Sequence, residues 1–203
     1  MDALAEGEPA EIIVVDGGSS DNTRAIARKL GARDVTAARG RGPQLAAGAD
    51  AAGGGWLLFL HADTRLGSGW WRDAREFMSN HENLRKAGVF RLRLDSERPE
   101  ARRIEKLAAW RGRRFGVVFG DQGLLISRPF YRELGGFPPI PLMEDFHLAR
   151  RIGRKNLHFF ETPAVTSATR YQSGGWFWRA SRNLALQAMF LAGVPPRILA
   201  RLY

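Results

Sequence analysis

Two aspartates stand where apolar runs end. Asp16 closes the segment Glu-Ile-Ile-Val-Val-Asp at 11–16, and Asp63 follows Trp-Leu-Leu-Phe-Leu-His-Ala at 56–62. A carboxylate at a strand end, beside a loop, is well placed to hold a cation. Magnesium and manganese take one or two protein carboxylates and complete their shell with water and substrate phosphates. His61 lies two residues before Asp63 and shares its side of an extended chain. The competing account of this pair is a turn capped by Asp63 and Thr64. Asp16 can accept hydrogen bonds from a ribose or a base edge, and Gly17-Gly18 lets backbone approach a ligand. A helix-capping loop competes here too, since Ser19, Ser20 and Asp21 follow.

Three more clusters have chemical potential. Arg39 and Arg41 flank Gly40 just ahead of Pro43, a residue suited to the start of a helix. Guanidinium groups and helix N-termini both favour phosphate, and Gln44 falls in the same first turn. Glu144-Asp145 opens a later helix after a glycine- and proline-rich approach at 135–142. Acids in a first turn complement the helix dipole. A carboxylate there can also act as a general base toward an attacking hydroxyl. Asp121 and Gln122, between Gly120 and Gly123, either bind ligand hydroxyls or make a hairpin turn. The histidines are His61, His81, His147 and His158, without paired metal-ligand spacing. His147 lies close to Asp145 on its helix and lines the same site. His81 and His158 read as structural or exposed.

The elements that must position these residues follow from periodicity. Residues 11–16 read as a strand buried on both faces, 23–30 as a helix capped by Asp21, and 34–37 as a strand. A helix from Pro43 to about 52 leads to a strand at 56–60. This strand–helix alternation predicts a mainly parallel α/β sheet with Asp16 and Asp63 at the carboxyl ends of neighbouring strands, where ligands bind. Further helices are expected at 70–80, 100–114, 129–134 and 143–153. Strands are expected at 87–94, 117–119, 124–127, 157–160 and 164–167. An aromatic-rich helix at 174–192 and a basic turn to Tyr203 close the chain. One domain of 1–203 results, with a helical C-terminal extension.

The 203 residues have a net charge of +10 and no cysteine. Disulfides and thiolate metal sites are excluded, and a reducing compartment fits. The charge suits nucleic acid, anionic lipid or a phosphorylated substrate. No nucleic-acid-binding motif is present, so no nucleic acid is expected. Residues 1–9 are acidic and poor in apolar side chains, and no apolar run reaches 18 residues. The expectation is a cytoplasmic protein without signal peptide or spanning helix. Trp176, Phe177 and Trp178, with Leu184, Leu186, Met189, Phe190 and Leu191, form an apolar helix bearing Arg179 and Arg182. It is either core or a helix lying on the inner face of an anionic membrane.

Four segments, in order, resemble the motifs of family 2 glycosyltransferases: EIIVVDGGSSDNT at 11–23, WLLFLHADT at 56–64, GDQG at 120–123 and GGFPPIPLMED at 135–145. They look most like a bacterial subgroup with His-Ala-Asp where relatives carry Asp-x-Asp. The resemblance implies a GT-A fold, with a nucleotide-binding part to about 65, an acceptor and catalytic part at about 66–170 and a helical extension at about 171–203. It implies transfer of a sugar from a nucleotide-diphosphate donor, with inversion. It implies a divalent metal, magnesium or manganese, at Asp63 with His61 beside it. Asp145 would be the general base, helped by Glu144. Asp16, Gly17, Arg39, Arg41, Gln44, Ala62 and Asp63 would line the nucleotide-sugar site, and Asp121 and Gln122 the sugar or acceptor site. Family members usually begin with an earlier strand and a Pro-x-x-Asn-Glu loop. Here the sequence starts just before what would be the second strand, so a fold lacking the first strand is expected. The alternative function is a truncated, non-catalytic member that binds partners or a membrane surface.

Overall fold

Strand β1 (Ile13–Asp16) runs parallel to β2 (Arg33–Thr36) in the computed structural model of the chain, which describes Leu4 and residues 6–202. The rest of the acidic N-terminal stretch and Tyr203 lie outside the described residues. Helix α1 (Thr23–Lys29) joins the two strands, and the Asp21 carboxylate accepts from the Thr23 N–H at its start, 3.0 Å away. Arg28 and Arg24 clamp Asp34 of β2 at 2.7 and 2.8 Å and hold its carboxyl well below the usual range. Helix α2 (Arg41–Ala51) packs on β1. It begins two residues before Pro43, from Gly40 at φ 134.

The second sheet has five strands in the order β3-β6-β5-β7-β4. These are β3 (Trp56–Phe59), β4 (Thr64–Leu66), β5 (Ala87–Leu94), β6 (Leu124–Ser127) and β7 (Leu157–Thr166). Helices α3 (Trp70–Ser79), α4 (Pro99–Phe115), α5 (Arg128–Glu133) and α6 (Glu144–Ile152) lie between them in sequence. Phe90, Leu94, Ile126, Leu148 and Ile152 are the large apolar side chains at its centre.

The expected α/β architecture with C-terminal helices is present, while its strand directions differ from a mainly parallel sheet. β3–β6, β5–β6 and β4–β7 are antiparallel, and only β1–β2 and β5–β7 are parallel. An apolar run reports that a strand is buried, not which way its neighbour runs. β1 and β3 are also not paired with each other, so Asp16 and Asp63 do not end neighbouring strands. Ile13, Val14 and Val15 are only half-buried, because β2 alone borders β1.

Two other expectations are corrected. Residues 117–119 are not a strand: Gly116 ends α4 at φ 69, and the chain passes into a short turn of 3-10 helix at Gly120–Gln122. The strands expected at 157–160 and 164–167 are one, β7, whose register against β5 shifts between Val89 and Arg91. Pro163, which has no N–H to give a ladder, sits at that irregularity. At the C-terminus, Gly175 at φ 78 divides α7 (Thr169–Gly174) from α8 (Trp176–Leu191), and α9 (Pro196–Leu202) follows.

Candidate active site

The segment at 135–142 enters α6 through Met143, a non-glycine residue at φ 69. Such a left-handed backbone costs on the order of 1 kcal/mol and persists where packing enforces it. Here the Met143 side chain is buried with Leu142, Phe146, Leu186 and Leu199. The two acids that follow have opposite surroundings. Glu144 is 1% exposed, and neither of its carboxylate oxygens has a hydrogen-bond partner. Burial, then the neighbouring Asp145 charge, pushes its carboxyl up to about 7. Asp145 instead lines a cavity with Leu45, Phe59, His61, Phe119 and Phe137. Its Oδ2 accepts from the Gly120 N–H at 2.9 Å and its Oδ1 from the Phe146 N–H at 2.7 Å. The two donors fix its orientation.

The Gly120–Gln122 turn closes the cavity from the other side. Asp121 Oδ1 is sealed from solvent without a hydrogen bond, and burial pushes this carboxyl up to about 6 against the attraction of Arg111. Gln122 is buried and donates to Phe90 O at 3.2 Å. Its Nε2 thereby anchors β5, while its Oε1 is sealed from solvent without a hydrogen bond. Arg111 was not singled out by the sequence. Its guanidinium carbon stands 4.1 Å over the Phe119 ring, and its Nε donates to Val117 O at 3.2 Å. Burial lowers the pKa of this guanidinium, while the charges of Asp121 and Asp145 raise it. The sequence signal was weak: Arg111 is one of many arginines in α4. The buried face of that helix, Ala101, Glu105, Ala108 and Gly112, does place it at the margin of the core.

Arg41, at the start of α2, is the second cation of the cluster and acts on both Asp121 and Glu144. The helix comes this close because residue 42 has no side chain. A methyl group on Gly42 would lie 2.3 Å from Pro138 O and 2.6 Å from Ile140 O. Arg39 is exposed.

The turn at 61–63 divides its residues. Thr64 N–H donates to His61 O at 3.0 Å and Ser167 N–H to Asp63 O at 3.2 Å, so the turn account holds for the backbone. The His61 ring faces inward: a methyl on Gly120 would lie 2.2 Å from its Nε2. Ala62 and Asp63 are exposed, and the Asp63 charge reaches Asp121. Among the described residues, no three acids or histidines are grouped to hold a metal by themselves. A single surface carboxylate fits an ion that shares its shell with a substrate's phosphates better than one caged by protein.

Asp16, the expected nucleotide contact, is oriented by its own loop. Both carboxylate oxygens accept from its own loop, Oδ2 from Gly18 N–H and Ser19 N–H at 3.0 Å and Oδ1 from Ser19 N–H at 3.2 Å. Hydrogen bonding from Ser19 holds the carboxyl below its usual range. The chain turns back on the carboxylate at once. Gly17 lies against Gln44, whose Nε2 donates to Val15 O at 3.1 Å on the edge of β1 away from β2. His147 Nδ1 is buried without a hydrogen bond, and burial lowers the pKa of its ring. His81 is exposed, and His158 packs edge-on to Phe160, as expected of a structural residue.

A curled α/β sheet flanked by helices is the fold of GT-A glycosyltransferases. The profile described as glycosyl transferase family 2 matches residues 2–132, and the chain belongs to that family. The match ends before Glu144 and Asp145. Similar solved structures include a mannosyltransferase from Pyrobaculum calidifontis in complex with GDP-Man and Mn2+, at 19% identity and TM-score 0.64 over 94% of this chain and 58% of that one. GalNAc-T7 with UDP, GalNAc and Mn2+ matches at 16% identity and TM-score 0.62, over 81% of this chain and 40% of that one. Glucosyl-3-phosphoglycerate synthase from Mycobacterium tuberculosis, in complex with phosphoglyceric acid, matches at 21% and 0.54, over 80% and 62%. At these identities the likeness establishes the fold, and the chain spans 40–62% of the length of the three. No curated protein sequence matches the chain.

Proposed function

We propose that the chain is an inverting glycosyltransferase that moves a sugar from a nucleotide-diphosphate donor to an acceptor hydroxyl, with Asp145 as general base. The observation that carries this reading is the pair at 144–145. One acid is buried and pushed up to about 7, while its neighbour lines the cavity with both oxygens anchored by N–H donors. Environments that separate two carboxylates in this way are how a site divides acid and base roles. Asp145 takes the acceptor proton. Glu144 supports its placement from within the core, and its burial argues against direct acceptor contact.

The donor site is assigned to the loop after β1, with Gly17 and Gln44, to Arg39 and Arg41 at the start of α2, and to Ala62 and Asp63. Asp63 is the ligand offered to a magnesium or manganese ion, whose chemistry when bound is to neutralise the leaving diphosphate. His61 holds the turn against Gly120. Asp121 and Arg111, which attract each other beside the cavity-lining Gly120, are assigned to the acceptor side. The His-Ala-Asp sequence at 61–63 supports the bacterial subgroup, and the absence of cysteine supports a cytoplasmic setting.

The test combines turnover and titration calorimetry across several nucleotide-sugars with manganese. Asp145→Asn is expected to lose on the order of 10²–10⁴ in transfer rate while keeping donor affinity. Asp63→Ala is expected to lose manganese-dependent nucleotide binding. Equal loss of donor affinity in Asp145→Asn removes the base assignment, and unchanged manganese dependence in Asp63→Ala removes the metal assignment. No turnover and no binding with any donor favours the alternative, a non-catalytic family member.

A further inference from the structure

Helix α8 has two faces of different character. Leu186 and Gln187 are buried, and Leu186 packs with Leu142, Met143 and Phe146 on the turn that carries Asp145. The opposite side exposes Phe177, Ser181, Leu184, Ala188 and Leu191, spaced four, three, four and three residues apart as one stripe of a helix requires. None of the five carries a charge. Phe177, Trp178 and Leu184 are 70%, 71% and 63% exposed, levels that no core role explains. Helix α9 continues the pattern with exposed Ile198 and Leu202 beside Arg197 and Arg201.

The neighbouring helix α4 meets the start of α8 where Ala101 and Ile104 pack with Tyr171 and Trp176. Its outer stripe is Arg103, Lys106, Leu107, Trp110 and Arg114, all exposed. The chain has no Asp or Glu after Glu161. The apolar stripe is therefore bordered by cations.

We infer that α8, with α9 and the outer stripe of α4, docks the protein on an anionic lipid bilayer. An uncharged stripe bearing Phe and Leu, with the exposed Trp178 beside it, suits the acyl–headgroup boundary, and the surrounding arginines and lysine suit anionic headgroups. A second copy of the chain would bring the same positive charge to the interface. Among the described residues, no helix is long and apolar enough to cross a membrane, so the contact lies along the surface. The stripe stands about one helix diameter, ~10 Å, from the packing that supports Asp145. The inference rests on these surfaces and not on the transfer reaction.

The experiment is vesicle co-sedimentation of the whole protein, with intrinsic tryptophan fluorescence, at low and high salt. The vesicles are phosphatidylcholine alone or with about one-third phosphatidylglycerol. Binding is expected to be on the order of tenfold stronger to the anionic vesicles, to weaken with salt, and to shift the emission to the blue. The triple variant Phe177→Ser, Trp178→Ser, Leu184→Ser is expected to lose about tenfold in binding with an unchanged melting temperature, because all three side chains are exposed. A variant with Arg197→Gln and Arg201→Gln keeps the apolar stripe and is expected to lose part of the preference for anionic lipid. Absence of vesicle binding, or equal binding by the triple variant, overturns the proposal. So does a wild-type dimer, seen by sedimentation velocity, that the triple variant abolishes without any vesicle binding.

Discussion

Glu144 and Asp145 are adjacent in sequence and separated by environment, which gives Glu144 a measurable effect on stability. Its carboxyl has a usual pKa of 4.5 and is pushed up to about 7 in the fold, first by burial and then by Asp145, with Arg41 opposing. Between those values the folded state binds the extra proton, so stability is full below about 4.5 and falls as pH rises toward about 7. The whole decline is on the order of 3 kcal/mol. Glu144→Gln removes the titration while keeping the shape. In urea unfolding across this range, the variant is expected to show a flatter pH dependence than the wild type. An unchanged slope would mean that Glu144 is ionised in the fold throughout. Residue types were legible at this scale where the chemistry is local: Asp145 lines the cavity, and the charges of Arg41 and Asp63 reach Asp121. A single sequence does not tell that Asp16 and Gln122 hydrogen-bond to backbone groups of the folded chain. Arg111 was hidden for a related reason, since its partners Phe119 and Asp121 reach it only through folding.

The contact between α2 and the 138–140 loop joins the donor and base halves of the proposed site. It depends on one position. Gly42 has an ordinary helical backbone, so its value lies in the missing side chain: a methyl would approach Pro138 O and Ile140 O at 2.3 and 2.6 Å. Both neighbours are backbone and cannot rotate away. Gly42→Ala is expected to cost about 2 kcal/mol in denaturant unfolding, within the range for overpacking, and to lower transfer by displacing Arg41 from the acids. Gly55→Ala, where an added methyl meets nothing within 4 Å, is the control and is expected to be near neutral. A Gly42→Ala protein as stable as that control would show that the loop can yield. Elements themselves were largely legible. β5 and β6 lie where their apolar runs fall, and the helix bounds agree to within a few residues. What the runs did not carry was direction and partner. Residues 117–119 have the composition of a strand, yet the left-handed Gly116 and the stacking of Arg111 on Phe119 direct them into the site loop.

At the scale of the molecule, the β1–α1–β2 unit and the five-stranded sheet differ in how firmly each is held. β5, at the centre of the larger sheet, buries Val89, Phe90, Leu92 and Leu94 and has strands on both sides. Among the described residues β1 pairs with β2 alone, Ala27 is the one buried residue of α1, and Ile26 and Leu30 are more than half exposed. Polar links tie this unit to the rest: Gln44 to Val15 O, Arg33 to Ala51 O at 2.9 Å, and Glu11 to Gly53 and Gly54 N–H at 2.6 and 3.2 Å. Segments with little apolar burial open without global unfolding. Amides of 13–16 and 33–36 are therefore expected to exchange on the order of 100-fold faster than those of 89–94. Gln44→Ala is expected to widen the difference, because it removes the donor that satisfies Val15 O. UDP or GDP with manganese is expected to narrow it, since the proposed donor site includes the loop at 16–19 and a ligand that binds only the closed form raises its population. Equal protection of the two regions would show instead that they open as one unit. In that case the β1–α1–β2 unit is not independent of the larger sheet, and the nucleotide has no local opening left to suppress.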